Sequence, residues 1–339
     1  MITDTTAESG EVKSSILDCV GNTPLVSLDR LFPEKELQVI SKLELMNPGG
    51  SMKDRTARYM IEQGIENGTI PHGAHLIESS SGNLGIAIAM ACRILGLSFT
   101  CVVDPKTTET NVRILRQLGA TVEMVQEPDE NGGYLQSRIR RVKELLHKIP
   151  DSYWINQYAN ENNWKAHYNG TATEMVRQLN RSVDVFFAAV STTGSLLGCT
   201  RKLREHFPSI RVIAVDAVGS ILFGGPPGKR EIPGIGSSRV PELLSPEEID
   251  DVVYVSDLEA SWGCRELLEK EGIFAGGSSG SIVAAIQKYL PALPRPCRIL
   301  TLFPDRGDRY LDLVYNDDWV KQLSDEKTDE PQLMVRERV

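Results

Sequence analysis

Hydrophobic and polar positions follow two alternating periods along nearly the whole chain. Short apolar runs predict strands at Gln38–Leu45, His75–Ser80, Ser98–Asp104 and Thr121–Gln126. Between them, Lys53–Asn67, Asn83–Leu95 and Glu109–Leu118 carry helical spacing and are closed by Gly68, Gly96 and Gly119, the residue type that turns out of a helix at least steric cost. Tyr134–Ile149 is amphipathic, with Leu135, Ile139, Val142, Leu145 and Leu146 on one face. A second series has strands at Val183–Val190, Arg211–Ala217, Asp251–Ser256 and Arg298–Phe303, and helices at Gly194–His206, Leu258–Lys270 and Ser281–Tyr289. The run Val-Phe-Phe-Ala-Ala-Val ending at Val190 is apolar on both faces, as a central parallel strand is. Such alternation predicts an α/β fold of two doubly wound, mostly parallel-sheet lobes with a cleft between them.

Composition narrows the partners. The 339 residues carry 37 Lys and Arg against 46 Asp and Glu, a formal charge of −9, with no basic block. Phosphodiester backbones and anionic lipid surfaces would repel such a chain, so neither nucleic acid nor membrane is expected. The most apolar stretch, Leu84–Val103, is broken by Arg93 and Gly96 and reads as a buried helix followed by a buried strand. Six scattered cysteines show no C-x-x-C pair and no zinc-ligand spacing, so no metal is expected. With a polar, acidic start and no signal-peptide pattern, a cytoplasmic protein is expected. Beyond about Leu323 the apolar pattern stops and a solvated tail is predicted.

Three strand-to-helix junctions carry candidate chemistry. In Asn47-Pro48-Gly49-Gly50-Ser51-Met52-Lys53-Asp54-Arg55 a lysine opens a helix, where the positive end of the dipole and partial burial favour its neutral, nucleophilic form. Ser79-Ser80-Ser81-Gly82-Asn83 offers hydroxyls and free amides at a helix start, which suits a carboxylate and equally a serine-rich N-cap. Ser191-Thr192-Thr193-Gly194-Ser195 follows the apolar strand and forms a phosphate cradle without a cation. It matches neither a Walker loop nor G-x-G-x-x-G. Gly276-Gly277-Ser278-Ser279-Gly280 and Pro304-Asp305-Arg306-Gly307-Asp308-Arg309-Tyr310-Leu311 read, taken singly, as glycine-rich turns.

Taken together, from Gly21-Asn22-Thr23-Pro24-Leu25 to Tyr310-Leu311, the chain resembles fold-type II pyridoxal-phosphate enzymes of the cysteine synthase / cystathionine β-synthase family. N-P-G-G-S-x-K-D-R, S-G-N, Asn156-Gln157-Tyr158-Ala159-Asn160 and Gly234-Ile235-Gly236 occur in the family's order. The resemblance implies pyridoxal 5'-phosphate held by Lys53 as Schiff-base lysine and α-proton base. Asn83 would bond the cofactor's 3′-oxygen, Ser191, Thr192, Thr193, Gly194 and Ser195 its phosphate, and Ser278 its pyridine nitrogen. A neutral hydroxyl there makes a weaker electron sink than a carboxylate and favours β-elimination over transamination. Ser80, Ser81 and Gly82, with Gln157, would bind the substrate carboxylate. The implied organisation is a flexible N-terminus at 1–14, a large cofactor domain at 15–46 plus 159–320, a small mobile domain at 47–158, and a tail from 321 to 339. A homodimer is usual in the family.

Two departures from cysteine synthases shift the expected substrates. Leu84 stands where they have threonine after S-G-N, and Ser191 and Thr193 replace glycines of their phosphate loop. Gly132-Gly133-Tyr134-Leu135-x-x-Arg138, the Ser191–Ser195 loop and the Pro304–Leu311 segment resemble the N-(2-amino-2-carboxyethyl)-L-glutamate synthases more closely. That branch eliminates phosphate from O-phospho-L-serine and adds L-glutamate to the aminoacrylate, leading to 2,3-diaminopropionate for the siderophore staphyloferrin B or for peptide antibiotics. Both substrates are polyanions, so an acidic chain needs local cations. Arg138 is the candidate, with Tyr158 and Ser191 as hydroxyl partners. The competing reading of Arg138 is a solvated helix face beside Arg140 and Arg141. Rival functions are a sulfhydrylase and a non-catalytic cofactor-binding regulator; cystathionine β-synthase is the less expected, since the residues after Tyr310 leave no room for its regulatory module.

Overall fold

A computed structural model describes residues 12–129 and 132–329; the two ends of the chain, including most of the expected N-terminal and C-terminal tails, lie outside the described residues. The elements are β1 (Leu25–Ser27), β2 (Leu37–Leu43), α1 (Lys53–Glu66), β3 (His75–Ser79), α2 (Asn83–Leu95), β4 (Ser98–Val103), α3 (Glu109–Gln117), β5 (Thr121–Met124), α4 (Leu135–Lys148) and β6 (Ser152–Trp154). Next come α5 (Asn162–Ala166), a π-helical turn at His167–Ala172, α6 (Thr173–Gln178), β7 (Val185–Ala189), α7 (Gly194–His206), β8 (Arg211–Ala217) and β9 (Asp251–Val255). The chain ends with α8 (Asp257–Glu271), α9 (Gly277–Tyr289), β10 (Cys297–Phe303) and α10 (Asp317–Asp329).

Two sheets result. One has the order β1-β2-β10-β7-β8-β9, the other β5-β4-β3-β6. All neighbours run parallel except β1, which pairs antiparallel with β2 at the edge. Position in the sheet explains burial: every residue of β7, between β10 and β8, is buried, whereas edge strands β5 and β9 are mostly half-buried. Separate cores form on the two sheets. Phe187, Ile213, Ile282, Val283 and Phe303 pack in one, and Met60, Ile61, Leu76, Ile88 and Phe99 in the other.

The expected alternation is present, with boundaries moved by up to a few residues. Asn83–Leu95, Gly194–His206 and Arg211–Ala217 form at the expected limits. Two expectations need correction. The helix read as starting at Ser281 begins at Gly277, because Ser279 and Gly280 N–H already bond to the Gly276 carbonyl, so Ser278 sits in its first turn rather than in a preceding loop. The segment from 321 to 339, expected as a solvated tail, is helical as far as Asp329, the end of α10, while Lys321, Gln322 and Asp325 are exposed. Trp319 is buried, Val320 and Leu323 pack against the large core, and Trp319 Nε1 donates to Glu231 at 2.8 Å. The short strands β1 and β6 and the helical stretch from Asn162 to Gln178 are additions that three-residue strands and a polar, Asn-rich run do not announce.

Candidate functional site

Four loops leave the carboxyl ends of parallel strands β2, β3, β7 and β10, the place where open α/β sheets gather ligand-binding groups. The Asn47–Arg55, Ser79–Asn83, Ser191–Ser195 and Pro304–Leu311 motifs lie on them, whereas Gly276–Gly280 joins α8 to α9, Asn156–Asn160 follows β6 and Gly234–Gly236 lies between β8 and β9. Backbone bonds stitch three segments together: Met52 N–H donates to the Pro304 carbonyl at 2.8 Å, Arg306 N–H to Gly50 at 3.2 Å, and Gly276 N–H to Asp305 at 2.9 Å. Lys53 is the first residue of α1, and its N–H donates to Ser51 Oγ at 3.2 Å. Burial pushes the Lys53 ammonium down to about 8, against the opposing pull of the Asp305 carboxylate. Such an amine is substantially neutral near pH 8, and its side chain makes no hydrogen bond within the described residues.

The Ser191–Ser195 loop caps α7. Thr193 takes φ +63°, a left-handed conformation uncommon for a non-glycine residue, and its buried hydroxyl has no hydrogen-bond partner. Asn163 Nδ2 donates to Thr192 Oγ1 at 3.1 Å, and a Cβ on Gly194 would come within 2.3 Å of Asn163 Oδ1. A strained, hydroxyl-rich turn at a helix N-terminus, with an orphaned buried hydroxyl and unpaired first-turn amides, fits a phosphate group. The residues present therefore suit the expected cofactor. Ser278 is buried, 3% exposed, and its hydroxyl makes no hydrogen bond within the described residues.

Asn83 opens α2 and is tied to the other sheet's loop. Its Nδ2 donates to Asp305 Oδ2 at 2.6 Å, and its Oδ1 accepts from Arg309 Nη1. Arg309 Nη2 also donates to the Gly49 carbonyl at 2.6 Å, and Tyr310 OH to Asp305 Oδ2 at 2.6 Å. Asp305 Oδ1 is buried without a partner. Asp305 and Arg309 thus clasp Asn83 to the lysine loop; no role was expected of either, since their partners lie more than two hundred residues away. Ser80 Oγ accepts from Gly85 N–H at 3.0 Å, so that serine does act as a cap, while the space where a Gly82 side chain would stand is open.

Gln157 is buried: its N–H reaches Glu78 Oε2 at 3.2 Å, its Nε2 the Ser79 carbonyl at 3.4 Å, and its own carbonyl accepts from Asn163. Arg138 turns inward from α4 instead of joining the solvated face. Its side chain is 12% exposed, Asp104 Oδ2 stands 3.3 Å from Nε, and Nε and Nη1 make no hydrogen bond. Its charge reaches both Glu78 and the Tyr158 hydroxyl. Ser191 Oγ bonds to neither Arg138 nor Tyr158.

Behind Lys53 lies a buried ion network absent from the sequence reading. Arg55 Nε and Nη2 hold Glu44 at 2.7 and 2.8 Å, Nη1 and Nη2 hold Glu174 at 2.6 and 2.7 Å, and Lys42 Nζ donates to Glu174 at 2.7 Å. One turn along α1, Thr56 Oγ1 meets His167 Nε2 at 3.1 Å, and Thr171 Oγ1 meets its Nδ1 at 3.0 Å. Burial and the nearby Lys53 and Arg55 charges hold His167 well below its usual range, hence neutral. The π-helical turn supplies His167; such turns recur at functional sites.

Burial raises the carboxyl of Asp54 to about 7, although Gly49 N–H donates to its Oδ2 at 2.6 Å. Its folded value lies above the ordinary 3.8, so the folded state binds more protons across that window. This contribution to stability is complete below pH ~4 and is lost as pH rises through about 7. Asp54→Asn is expected to flatten the fall in stability between those limits, measured by urea midpoints at several pH values; an unchanged slope would show that Asp54 does not titrate there.

A family profile described as pyridoxal-phosphate dependent enzyme matches residues 16–305. An N-(2-amino-2-carboxyethyl)-L-glutamate synthase of Ralstonia nicotianae is 56% identical over 313 residues, spanning 92% of this chain and 93% of that protein. Among solved structures, the O-acetylserine-dependent cystathionine β-synthase of Helicobacter pylori is similar at TM-score 0.84 and 36% identity, covering 89% of this chain and 98% of that one. An O-ureido-L-serine synthase is similar at TM-score 0.84 and 31% identity, covering 93% of this chain and 100% of that one. Among the described residues no helix is long and apolar enough to cross a membrane, and no group of metal-binding side chains assembles.

Proposed function

The chain belongs to the pyridoxal-phosphate-dependent enzymes, and on that premise we propose that it converts O-phospho-L-serine and L-glutamate into N-(2-amino-2-carboxyethyl)-L-glutamate and phosphate. The single observation carrying this reading is Arg138: a buried guanidinium with two nitrogens free of hydrogen bonds, beside Tyr158, in a chain otherwise acidic. Asp104 offsets part of its charge at 3.3 Å, but Nε and Nη1 keep no hydrogen bond within the described residues, and such a desolvated guanidinium gains from a second anion that supplies the missing bonds. The 56% identity to a relative named for that product supports the same type of product.

Bound pyridoxal phosphate supplies the electron sink for β-elimination and replacement. Lys53 Nζ holds the cofactor and carries the proton removed from the substrate's α-carbon. Thr192, Thr193 and Ser195, with the first-turn amides of α7, hold the cofactor phosphate. Asn83 would hold its ring, and Ser278 would offer its nitrogen a neutral hydroxyl. The open space over Gly82, flanked by the first-turn amides of α2, receives the substrate carboxylate. Arg138 and Tyr158 grip the leaving phosphate. The product is a precursor of 2,3-diaminopropionate for a siderophore or peptide antibiotic.

The test is a competition on the cofactor-loaded protein, O-phospho-L-serine with L-glutamate in one tube and sulfide in another. Product mass and phosphate release are followed in both. A glutamate adduct formed well ahead of cysteine supports the proposal; cysteine alone makes the protein a sulfhydrylase. Arg138→Ala is expected to cut kcat/KM for O-phospho-L-serine roughly 10- to 100-fold, the scale of a hydrogen bond to a charged group. The effect on O-acetyl-L-serine, whose ester is uncharged in the bound substrate and leaves as a singly charged acetate, should be smaller. Equal losses on both would remove Arg138 from phosphate recognition.

A further inference from the structure

Three arginines act on the Tyr158 hydroxyl, and Arg138 is only one of them. Arg239 places its guanidinium 5.1 Å from the centre of the Tyr158 ring. Arg230 donates to three neutral oxygens: the Gly219 carbonyl at 3.3 Å, the Ile235 carbonyl at 3.3 Å and Ser238 Oγ at 2.7 Å. Those bonds aim its fork from the loop between β8 and β9. In the same loop, Gly236 N–H donates to the Val190 carbonyl at 2.7 Å, one residue before the phosphate loop. Gly236 also stands at φ +70°, and a Cβ there would come 2.9 Å from Arg230 Nη1. The Gly234-Ile235-Gly236 turn therefore holds the Arg230 guanidinium and is itself tied by its backbone to Val190, the residue before Ser191.

The acids on these cations do not cancel them. Arg239 bonds Glu242, whose side chain is 53% exposed and thus screened by water. Asp216 and Asp257 act on Arg230 from a distance, without a hydrogen bond to it. Once phosphate has left, the same pocket must admit an amine that arrives with two carboxylates. Planar forks bind carboxylates in pairs, and two are present beside Tyr158.

We propose that Arg230 and Arg239 form the carboxylate subsite for the amine-donating dicarboxylate, so that they set the preference for that acceptor over sulfide and over amines with fewer charges. This deepens the reading of the reaction given above and rests on its acceptor being L-glutamate. The subsite is separate in chain position from Arg138, which serves the leaving phosphate.

The test uses the holoenzyme. Arg239→Met, checked for retained cofactor absorbance, is expected to raise KM for L-glutamate roughly tenfold or more, the scale of one lost charge-assisted bond. Single-turnover phosphate release from O-phospho-L-serine without glutamate should stay within about twofold, because that step precedes the acceptor. The advantage of L-glutamate over L-glutamine should shrink by a similar factor. Arg230→Lys keeps charge but loses the fork, and should show the same split more weakly. An unchanged KM for glutamate in Arg239→Met, or phosphate release falling in step with it, overturns the subsite. If the unaltered enzyme makes no glutamate adduct, the acceptor assignment fails instead, and that control is read before any variant.

Discussion

Lys53→Ala is expected to lower turnover by at least ~10³-fold and to abolish the yellow, borohydride-reducible adduct with pyridoxal phosphate. The expectation follows from position and environment together. Lys53 opens α1, where helix amides repel a proton from the amine, and burial brings the ammonium down to about 8. No side chain ties up Nζ, and the neighbouring His167 is neutral with both ring nitrogens engaged by Thr56 and Thr171, so it cannot substitute as the proton carrier. Mass spectrometry after borohydride reduction provides the measurement. A reducible adduct persisting in the variant would move the cofactor lysine elsewhere.

Arg55→Ala is expected to destabilise the fold by about 3–5 kcal/mol, read from urea unfolding of the apoprotein. Removing the guanidinium leaves Glu44 fully buried, and Glu174 with Lys42 as its one ion-pair partner among the described residues. Two carboxylates held by one fork lose five hydrogen-bond geometries at once, counting that to Thr23 Oγ1 at 3.3 Å. A loss below about 1 kcal/mol would mean that water or Lys42 restores the balance. Arg55→Lys should fall between, since an ammonium cannot span both acids.

Much of this was legible in the sequence because it is local. Helix Gly194–His206 shows its apolar face and its capping loop within a few residues, and α2 ends at Gly96 with φ +69° as its glycine foretells. The junction loops carry candidate chemistry in consecutive residues, so Lys53 and the Ser191–Ser195 cradle stood out on the residues alone, whereas Asn83 and Ser278 were named through the family resemblance. What escaped depends on long-range pairing. Lys42 and Glu44 sit in or beside a strand and read as its polar positions, but their partners Arg55 and Glu174 come from α1 and α6. Arg230 and Arg239 went unnamed because nothing local marks them; they lie in the loop between β8 and β9, and only the fold brings Arg239 over the Tyr158 ring. Asp305 and Arg309 belonged to a recognised motif, yet their target, Asn83, lies on the other sheet's helix. The order of the large sheet was equally hidden: nothing local says that β10 inserts between β2 and β7.

That insertion bears on how the protein is made. β2 and β7 are synthesised early, but each waits with an open edge until Cys297–Phe303 has left the ribosome. The segment directly behind β10 then pairs with Gly50 and Met52, so the reactive lysine acquires its final setting only when the chain is nearly complete. An unfinished chain therefore exposes two strand edges and has no assembled cofactor site. Holdase chaperones should engage it most strongly just before residue 297 emerges, and the vitamin-derived aldehyde should be captured only by finished molecules.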